Sequence, residues 1–347
     1  MTEMARPTAS EEIGTRACPD CPMCGTVGET LYAALHDRLF GAPGEWRMAR
    51  CPNPECGLLW LDPMPLPEEV GKAYRSYYTH ETVPPSTGWK RLAFAWSREG
   101  YLSMRHGYPL QGPSLPKRTL GALAALWPEF REYLDHRVMH LRARPGARLL
   151  DVGCGSGRFI RLMQEIGWRA EGLDFDPGAV EAARRQGLTV WQGALEAQGF
   201  AAGSFEAVTM SHLIEHVPDP AGLLRECHRI LAPGGQLTIA TPNAASWGHA
   251  RFRESWRGLE PPRHLHVFTP RPLRAALERA GFTRCTVRTS VQLARMIYRE
   301  SMALREGRGR GGSRPAPAGA FWFSLREMAR RLTEPECGEE VVVVAHR

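Results

Sequence analysis

The chain has 347 residues, 43% hydrophobic and 23% charged, a balance typical of a globular protein with a packed core and too apolar for a disordered one. No run of eighteen apolar residues occurs, and the opening MTEMARPTASEE is too polar and acidic for a signal or transit peptide, so a cytoplasmic protein is expected. The formal charge of +7 comes from one place: Arg284 to Arg331 holds eleven arginines against three glutamates, the rest of the chain is near neutral, and no specific nucleic-acid partner is expected.

Residues 1–17 lack hydrophobic periodicity and read as a disordered lead-in. Order is expected from Cys18 to about Pro67. That stretch contains Cys18-Pro-Asp-Cys21-Pro-Met-Cys24-Gly25 and then Cys51-Pro-Asn-Pro-Glu-Cys56-Gly57. Glycine after the second thiolate of each pair lets a knuckle turn with its amides aimed at sulfur, the zinc-ribbon arrangement. Cys21, Cys24, Cys51 and Cys56 are the expected ligands, with Cys18 a spare. Four thiolates leave no open position, so the zinc would be structural, supplying on the order of ten kcal/mol to a segment too short to fold on its own core. Cys154, Cys227, Cys285 and Cys337 are scattered, and reduced thiols fit them better than disulfides.

From 68 to 144 the segments EEVGKAYRSYY, WKRLAFAWSREGYLSM and RTLGALAALWPEFREYLDHRVMHL carry helical signals broken by Gly and Pro, a helical connector or lid. From 145 to 347 strands and helices alternate in the manner of a βαβ sheet. RLLDV, RAEGLD, LTVWQ, FEAVTMS, QLTIAT, TRCTVRT and EEVVVVAHR read as seven strands, with helices from about Ser156, Pro177, Pro220 and Thr269. An insertion at about 290–337 interrupts the last two strands, with helix-like stretches joined by GRGRGGSRPAPAG. In its second stretch Phe321, Leu325, Met328 and Leu332 recur at helical spacing beside Arg326, Arg330 and Arg331. Such a stripe packs on a sheet or makes peripheral contact with an anionic membrane.

The strongest local signal is LLDVGCGSGRFI, an apolar strand running into Gly153, Gly155 and Gly157 and then a helix. Glycines there let backbone N–H groups approach a nucleotide-like ligand, although Gly-x-Gly-x-Gly differs from the dinucleotide fingerprint. One βα unit later Asp174 ends a strand, where a carboxylate can accept both hydroxyls of a ribose. His212-Leu-Ile-Glu-His216 matches a zinc-peptidase pattern in form, but it follows a strand rather than lying inside a long helix, and that reading is rejected.

LLDVGCGSG, EGLDFDP, GSFEAVTMSHLIEHVPDP and RILAPGGQLTIATPN, in that order, resemble the class I S-adenosylmethionine-dependent methyltransferases over Ala147 to about Phe282. The cysteine module and PPRHLHVF resemble a bacterial subgroup with an N-terminal zinc-ribbon-like unit. The resemblance implies an α/β, Rossmann-like methyltransferase sheet of seven strands with the last antiparallel. It implies S-adenosylmethionine as cofactor, bordered by Asp151, Gly153, Gly155, Gly157, Asp174, Phe175, Leu195 and His212. Many relatives carry an aspartate where this chain has Ala194, so backbone atoms or Glu196 would read the adenine. His216 would lie beside the sulfonium or serve only to cap a helix. His264 could take the acceptor's proton as general base, since neutral imidazole accepts near neutral pH, or could simply pin its loop. The implied reaction is methyl transfer to a small-molecule or lipid-linked acceptor, with oxygen the expected nucleophile. An RNA or protein methyltransferase and a non-catalytic cofactor sensor are the rival readings.

Overall fold

The computed structural model describes residues 12–74, 89–112, 114–308 and 318–347. The N-terminal part folds as short strands around the cysteines: β1 (Thr15–Arg16), β2 (Glu29–Leu35), β3 (Trp46–Arg50), β4 (Leu59–Leu61) and β5 (Met64–Pro65). Because β1 pairs antiparallel with β5, order begins ahead of Cys18, earlier than the sequence suggested. A 3-10 turn at Val70–Tyr74 occupies the start of the first expected connector helix; the rest of that segment, residues 75–78, lies outside the described residues, as do residues 1–11 of the lead-in.

Three connector helices follow, α1 (Trp89–His106), α2 (Ser114–Ala125) and α3 (Pro128–His136). The single run expected from Arg118 to Leu141 divides at Trp127-Pro128. Proline lacks an N–H and is tolerated only in a first turn, and Pro128 opens α3. Helices α1 and α2 cross where Gly100 and Gly121 meet, and neither has room for a Cβ.

The remaining elements are β6 (Arg148–Val152), α4 (Arg158–Glu165), β7 (Arg169–Asp174), α5 (Pro177–Arg184), β8 (Val190–Gln192), β9 (Phe205–Ser211), α6 (Pro220–Ile230), β10 (Leu231–Pro242), α7 (Trp247–Phe252), β11 (His266–Val267), α8 (Pro270–Arg279), β12 (Arg284–Ser290), α9 (Ala294–Arg305), α10 (Ala318–Arg330) and β13 (Glu340–His346). Two helices start on Asp-Pro: Asp176 and Asp219 each accept a hydrogen bond from the amide of a following glycine, and Pro177 and Pro220 sit in the first turn. All seven expected strands join one sheet in the order β12-β13-β10-β9-β6-β7-β8. From β8 to β10 the neighbours are parallel, and β13 runs antiparallel between β10 and β12. The central β9 and β10 are covered on both faces, which explains their apolar runs.

Two features depart from the expected layout. The boundary placed near Pro67 does not divide separate units, because β11 pairs with β4 to complete a four-stranded sheet, β11-β4-β3-β2, with Trp60 opposite His266 and Leu59 opposite Val267. Trp60 is fully buried, its Nε1–H donating to the Cys18 carbonyl at 2.7 Å, and one hydrophobic core runs from the cysteine module into the large sheet. In the insertion, α10 does not bury the expected stripe. Its inward residues are Ala320, Phe323, Ser324 and Glu327, while Phe321 and Leu332 are exposed. Phe323 stacks on Trp247 at 4.5 Å, and Ser324 Oγ donates to Glu129 at 2.9 Å, so aromatic packing and a buried polar contact set the rotation. Residues 309–317, within the expected flexible linker, lie outside the described residues.

Candidate functional site

Where the parallel strands β6, β7 and β9 end, their loops open onto a cavity of about 370 Å³. That volume lies within the range of small-ligand sites, and the place is where open α/β sheets bind them. Gly153, directly after β6, has φ +79°, and a Cβ there would come 2.8 Å from Leu213 Cδ1, so both backbone and space demand glycine. Asp174 ends β7 with its carboxylate held by two amides: Gly155 N–H donates to Oδ2 at 2.7 Å and Asp176 N–H to Oδ1 at 3.0 Å. Burial raises its pKa while those amides oppose the rise, and a carboxylate keeps further lone pairs for hydroxyl donors. Phe175, 46% exposed, and Leu195 supply apolar walls.

The opposite wall is polar. His216, on the 3-10 turn after β9, lines the cavity, and its Nδ1 contacts Tyr74 Oη at 2.8 Å and the Arg263 carbonyl at 2.9 Å. Tyr74 also meets Phe175 edge to face at 5.2 Å, so one connector residue bridges the apolar and polar walls. Behind His216 lies His264, its ring 4.7 Å away, its Nδ1 bonded to the Gly258 carbonyl at 2.8 Å. Burial and the neighbouring His216 lower the His264 pKa to about 4, so this imidazole is neutral near pH 7. Arg263 is wholly buried. It reaches Asp37 at 2.8 Å, Glu260 at 2.8 Å and the Ala73 carbonyl at 3.1 Å, tying the cysteine module and the turn bearing Tyr74 to the PPRHLHVF loop.

Gly153, Asp174, Phe175, Leu195 and His216 therefore meet around one cavity, while the other expected residues stand behind it. Asp151 is buried under the floor and accepts from Thr209 Oγ1 at 2.7 Å; burial raises its pKa to about 7. Gly155 positions Asp174, and Gly157 precedes the first turn of α4. His212 turns away to Glu340 at 2.8 Å and Glu215 at 3.3 Å. Burial would lower His212, but those two carboxylates raise it to about 10. Ala194 and Glu196 also border the cavity. Val70, Gly71 and Tyr74 were missed, since nothing in EEVGKAY marks it as part of a wall built a hundred residues later.

The cysteine cluster forms as expected. The sulfurs of Cys21, Cys24, Cys51 and Cys56 lie within 4.8 Å of one another, with Cys21 to Cys56 at 3.7 Å and Cys24 to Cys51 at 3.4 Å. Four sulfurs on one tetrahedral zinc sit about 3.8 Å apart, so the spacing fits that ion and excludes disulfides. Gly25 N–H returns to the Cys21 carbonyl at 2.9 Å and Gly57 N–H to that of Asn53 at 3.1 Å, closing both knuckles. Cys18 stands outside the cluster, its amide bonded to Asp62.

Residues 126–287 match the family model described as a methyltransferase domain. The ubiquinone biosynthesis O-methyltransferase of Xanthomonas campestris pv. campestris (strain B100) is 39% identical over 139 residues, covering 38% of this chain and 54% of that relative. The chain thus spans about half the length of the curated relatives it matches. Among solved structures, an S-adenosylmethionine dependent methyltransferase from Mesorhizobium loti is 21% identical, with 62% of this chain and 97% of that one covered at a TM-score of 0.43. Phosphoethanolamine N-methyltransferase 2 of Haemonchus contortus is 16% identical, with 83% and 62% covered at a TM-score of 0.46.

Proposed function

We propose that this chain, which carries a methyltransferase domain over residues 126–287, transfers a methyl group from S-adenosylmethionine to an oxygen of a small-molecule acceptor. The observation that carries the reading is the cavity itself, with the amide-held Asp174 carboxylate on one wall and the His216 imidazole on the other. A relative named for O-methylation in ubiquinone biosynthesis supports oxygen as the nucleophile and a small organic acceptor. When bound, S-adenosylmethionine would supply an electrophilic methyl carbon on its sulfonium, sulfur keeping the bonding electron pair and the acceptor hydroxyl's proton passing to solvent.

Asp174 accepts the ribose hydroxyls, with its orientation set by the amides of Gly155 and Asp176. Gly153 lets the backbone approach closely, Phe175 and Leu195 enclose the base, and Glu196 offers a polar edge beside Ala194. On the acceptor side His216 is held by Tyr74 and the Arg263 carbonyl, with His264 backing it. Methyl transfer needs alignment more than strong acid–base help, and these fixed walls supply alignment. The Cys21, Cys24, Cys51 and Cys56 cluster holds structural zinc in this reading and stiffens the segment leading to Tyr74.

Titrating S-adenosylmethionine and S-adenosylhomocysteine into the zinc-replete protein, beside Asp174→Ala, tests the cofactor site. Saturable binding that weakens at least tenfold in the variant is expected; no binding by the folded wild-type protein sinks the proposal. Labelled methyl appearing on a lysate component would separate an enzyme from a sensor.

A further inference from the structure

A second cavity, of about 430 Å³, lies at the edge of the large sheet and shares no lining residue with the first. It runs along β12, the outermost strand, with β13, β10 and β9 between that strand and β6. Five arginines line it against two glutamates. Only Arg288 belongs to β12; Arg131 comes from α3, Arg271 and Arg274 from α8, and Arg331 follows α10. Charged side chains guard an exposed strand edge against pairing, but that purpose needs them on the strand rather than on the helices around it. Two of these cations are neutralised, Arg331 by Glu132 at 2.8 Å and Arg271 by Glu55 at 2.6 Å. Arg274 instead donates to the Cys285 carbonyl at 2.9 Å, and Arg288 to His140 Nδ1 at 2.7 Å. Burial, with the Arg288 charge adding to it, lowers the His140 pKa to about 3, so that ring is a neutral acceptor. Arg131 forms no ion pair among the described residues.

The strand edge adds donors of its own. The Cys285 carbonyl faces Arg274 and the Val291 N–H donates to Glu132 Oε2 at 2.8 Å, so the odd-numbered residues turn their backbone groups away from β13. Alternation along an extended strand gives the amides of Val287 and Thr289, both lining the cavity, the same outward direction, and the sheet does not use them. Guanidinium forks and backbone N–H groups are the donors that hold phosphate oxygens. A tetrahedral phosphate presents oxygens in several directions and so suits guanidiniums arriving from α3, α8 and β12, whereas a planar carboxylate matches one fork. Glu132 does not compete for them, because Oε1 holds Arg331 and Oε2 accepts from Ser290 Oγ at 3.0 Å and from the Val291 amide; Glu336 is the other acid of the wall. Val287 and Met328 supply apolar surface beside the charges. We infer that this edge cavity binds a small, soluble phosphate ester, with its phosphate taken by Arg131, Arg274 and Arg288 and its organic part packed on Val287 and Met328. The site stands apart from the cofactor cavity and does not depend on the methyl-transfer reading.

Phenyl phosphate and inorganic phosphate, titrated calorimetrically into the full-length, zinc-replete protein with and without S-adenosylhomocysteine, test the site. One phenyl phosphate per chain is expected, bound at least threefold more tightly than inorganic phosphate and with the same affinity in both conditions. Replacing two exposed arginines together, Arg131→Gln and Arg274→Gln, should weaken phenyl phosphate at least tenfold while the melting temperature stays near that of the wild type. Arg161→Gln with Arg185→Gln removes the same charge from α4 and the end of α5, beside β7 and β8 at the far side of the sheet, and should change the affinity less than twofold. Equal weakening in the two double variants would reduce the effect to net charge and overturn the site. Displacement of phenyl phosphate by S-adenosylhomocysteine would place it in the cofactor cavity and overturn it too. Binding to phosphatidic acid vesicles without saturable uptake of phenyl phosphate would assign the arginines to a membrane-facing surface, with the same consequence.

Discussion

Tyr74 illustrates how much one side chain can decide at the residue scale. Its ring covers Phe175 while its hydroxyl touches His216 Nδ1, so removing only the hydroxyl separates the two contacts. Tyr74→Phe should leave the affinity for S-adenosylhomocysteine within about twofold and lower turnover about fivefold to tenfold, the scale of one hydrogen bond of about 1 kcal/mol. Calorimetric titration and initial rates on the same preparation check both halves, and an equal fall in cofactor affinity would place Tyr74 on the cofactor rather than the acceptor side. His264 is the contrasting case. In PPRHLHVF it reads as a base reaching into a substrate pocket, yet the fold sets it one ring behind His216.

At the scale of elements, the contact between α10 and the turn leading into β13 buries two acids side by side. Burial raises Glu327 well above the ordinary glutamate range, and the nearby charge of Glu339 adds to the rise; burial likewise raises Glu339 to about 7. A group whose folded pKa exceeds its unfolded value near 4.5 holds its proton more tightly when folded. Its contribution to stability is therefore full below that unfolded value and is lost as pH climbs through the folded one. Glu327 Oε1 accepts the Glu339 amide at 3.0 Å while Oε2 has no hydrogen bond, so glutamine fits without a charge. Glu327→Gln should leave the unfolding midpoint nearly unchanged at pH 5 and raise it above wild type at pH 8. Parallel declines with pH in the two proteins would show that this pair does not carry the alkaline loss.

Considered as a whole, the molecule is stitched across its apparent domain boundary. The β4–β11 pairing, the shared core and the buried Asp37–Arg263–Glu260 network all connect the cysteine module to the loop that supports His216 and His264. Asp37 also accepts from the amides of Leu39, Phe40 and Ala42; burial alone would raise its pKa, but Arg263 and those amides bring it below the ordinary carboxylate value. Removing one partner of a buried pair typically costs about 3–5 kcal/mol, because the remaining charge stays desolvated. Asp37→Ala should lower stability by about that amount in denaturant titrations. Stripping metal from the thiolates should weaken cofactor binding as well as lower the melting temperature, because the module leads directly into the cavity-lining segment Val70–Tyr74. A metal-free chain with unchanged cofactor affinity would make the module an independent appendage.

What the sequence determined by itself was everything carried by local spacing: the seven strands through their apolar runs, the Asp-Pro helix starts, the cysteine knuckles, and the glycine turn with its Asp174 partner. These are legible because each is fixed by hydrogen bonds and sterics among near neighbours. Only the tertiary structure decided which face α10 buries, that β11 extends the sheet of the cysteine module, that Tyr74 closes the cavity, and that His264 meets His216 and Glu215. Those outcomes depend on contacts between residues tens to hundreds of positions apart, where the energy lies in packing and in matching buried polar groups, and no short stretch of chain encodes its distant partner.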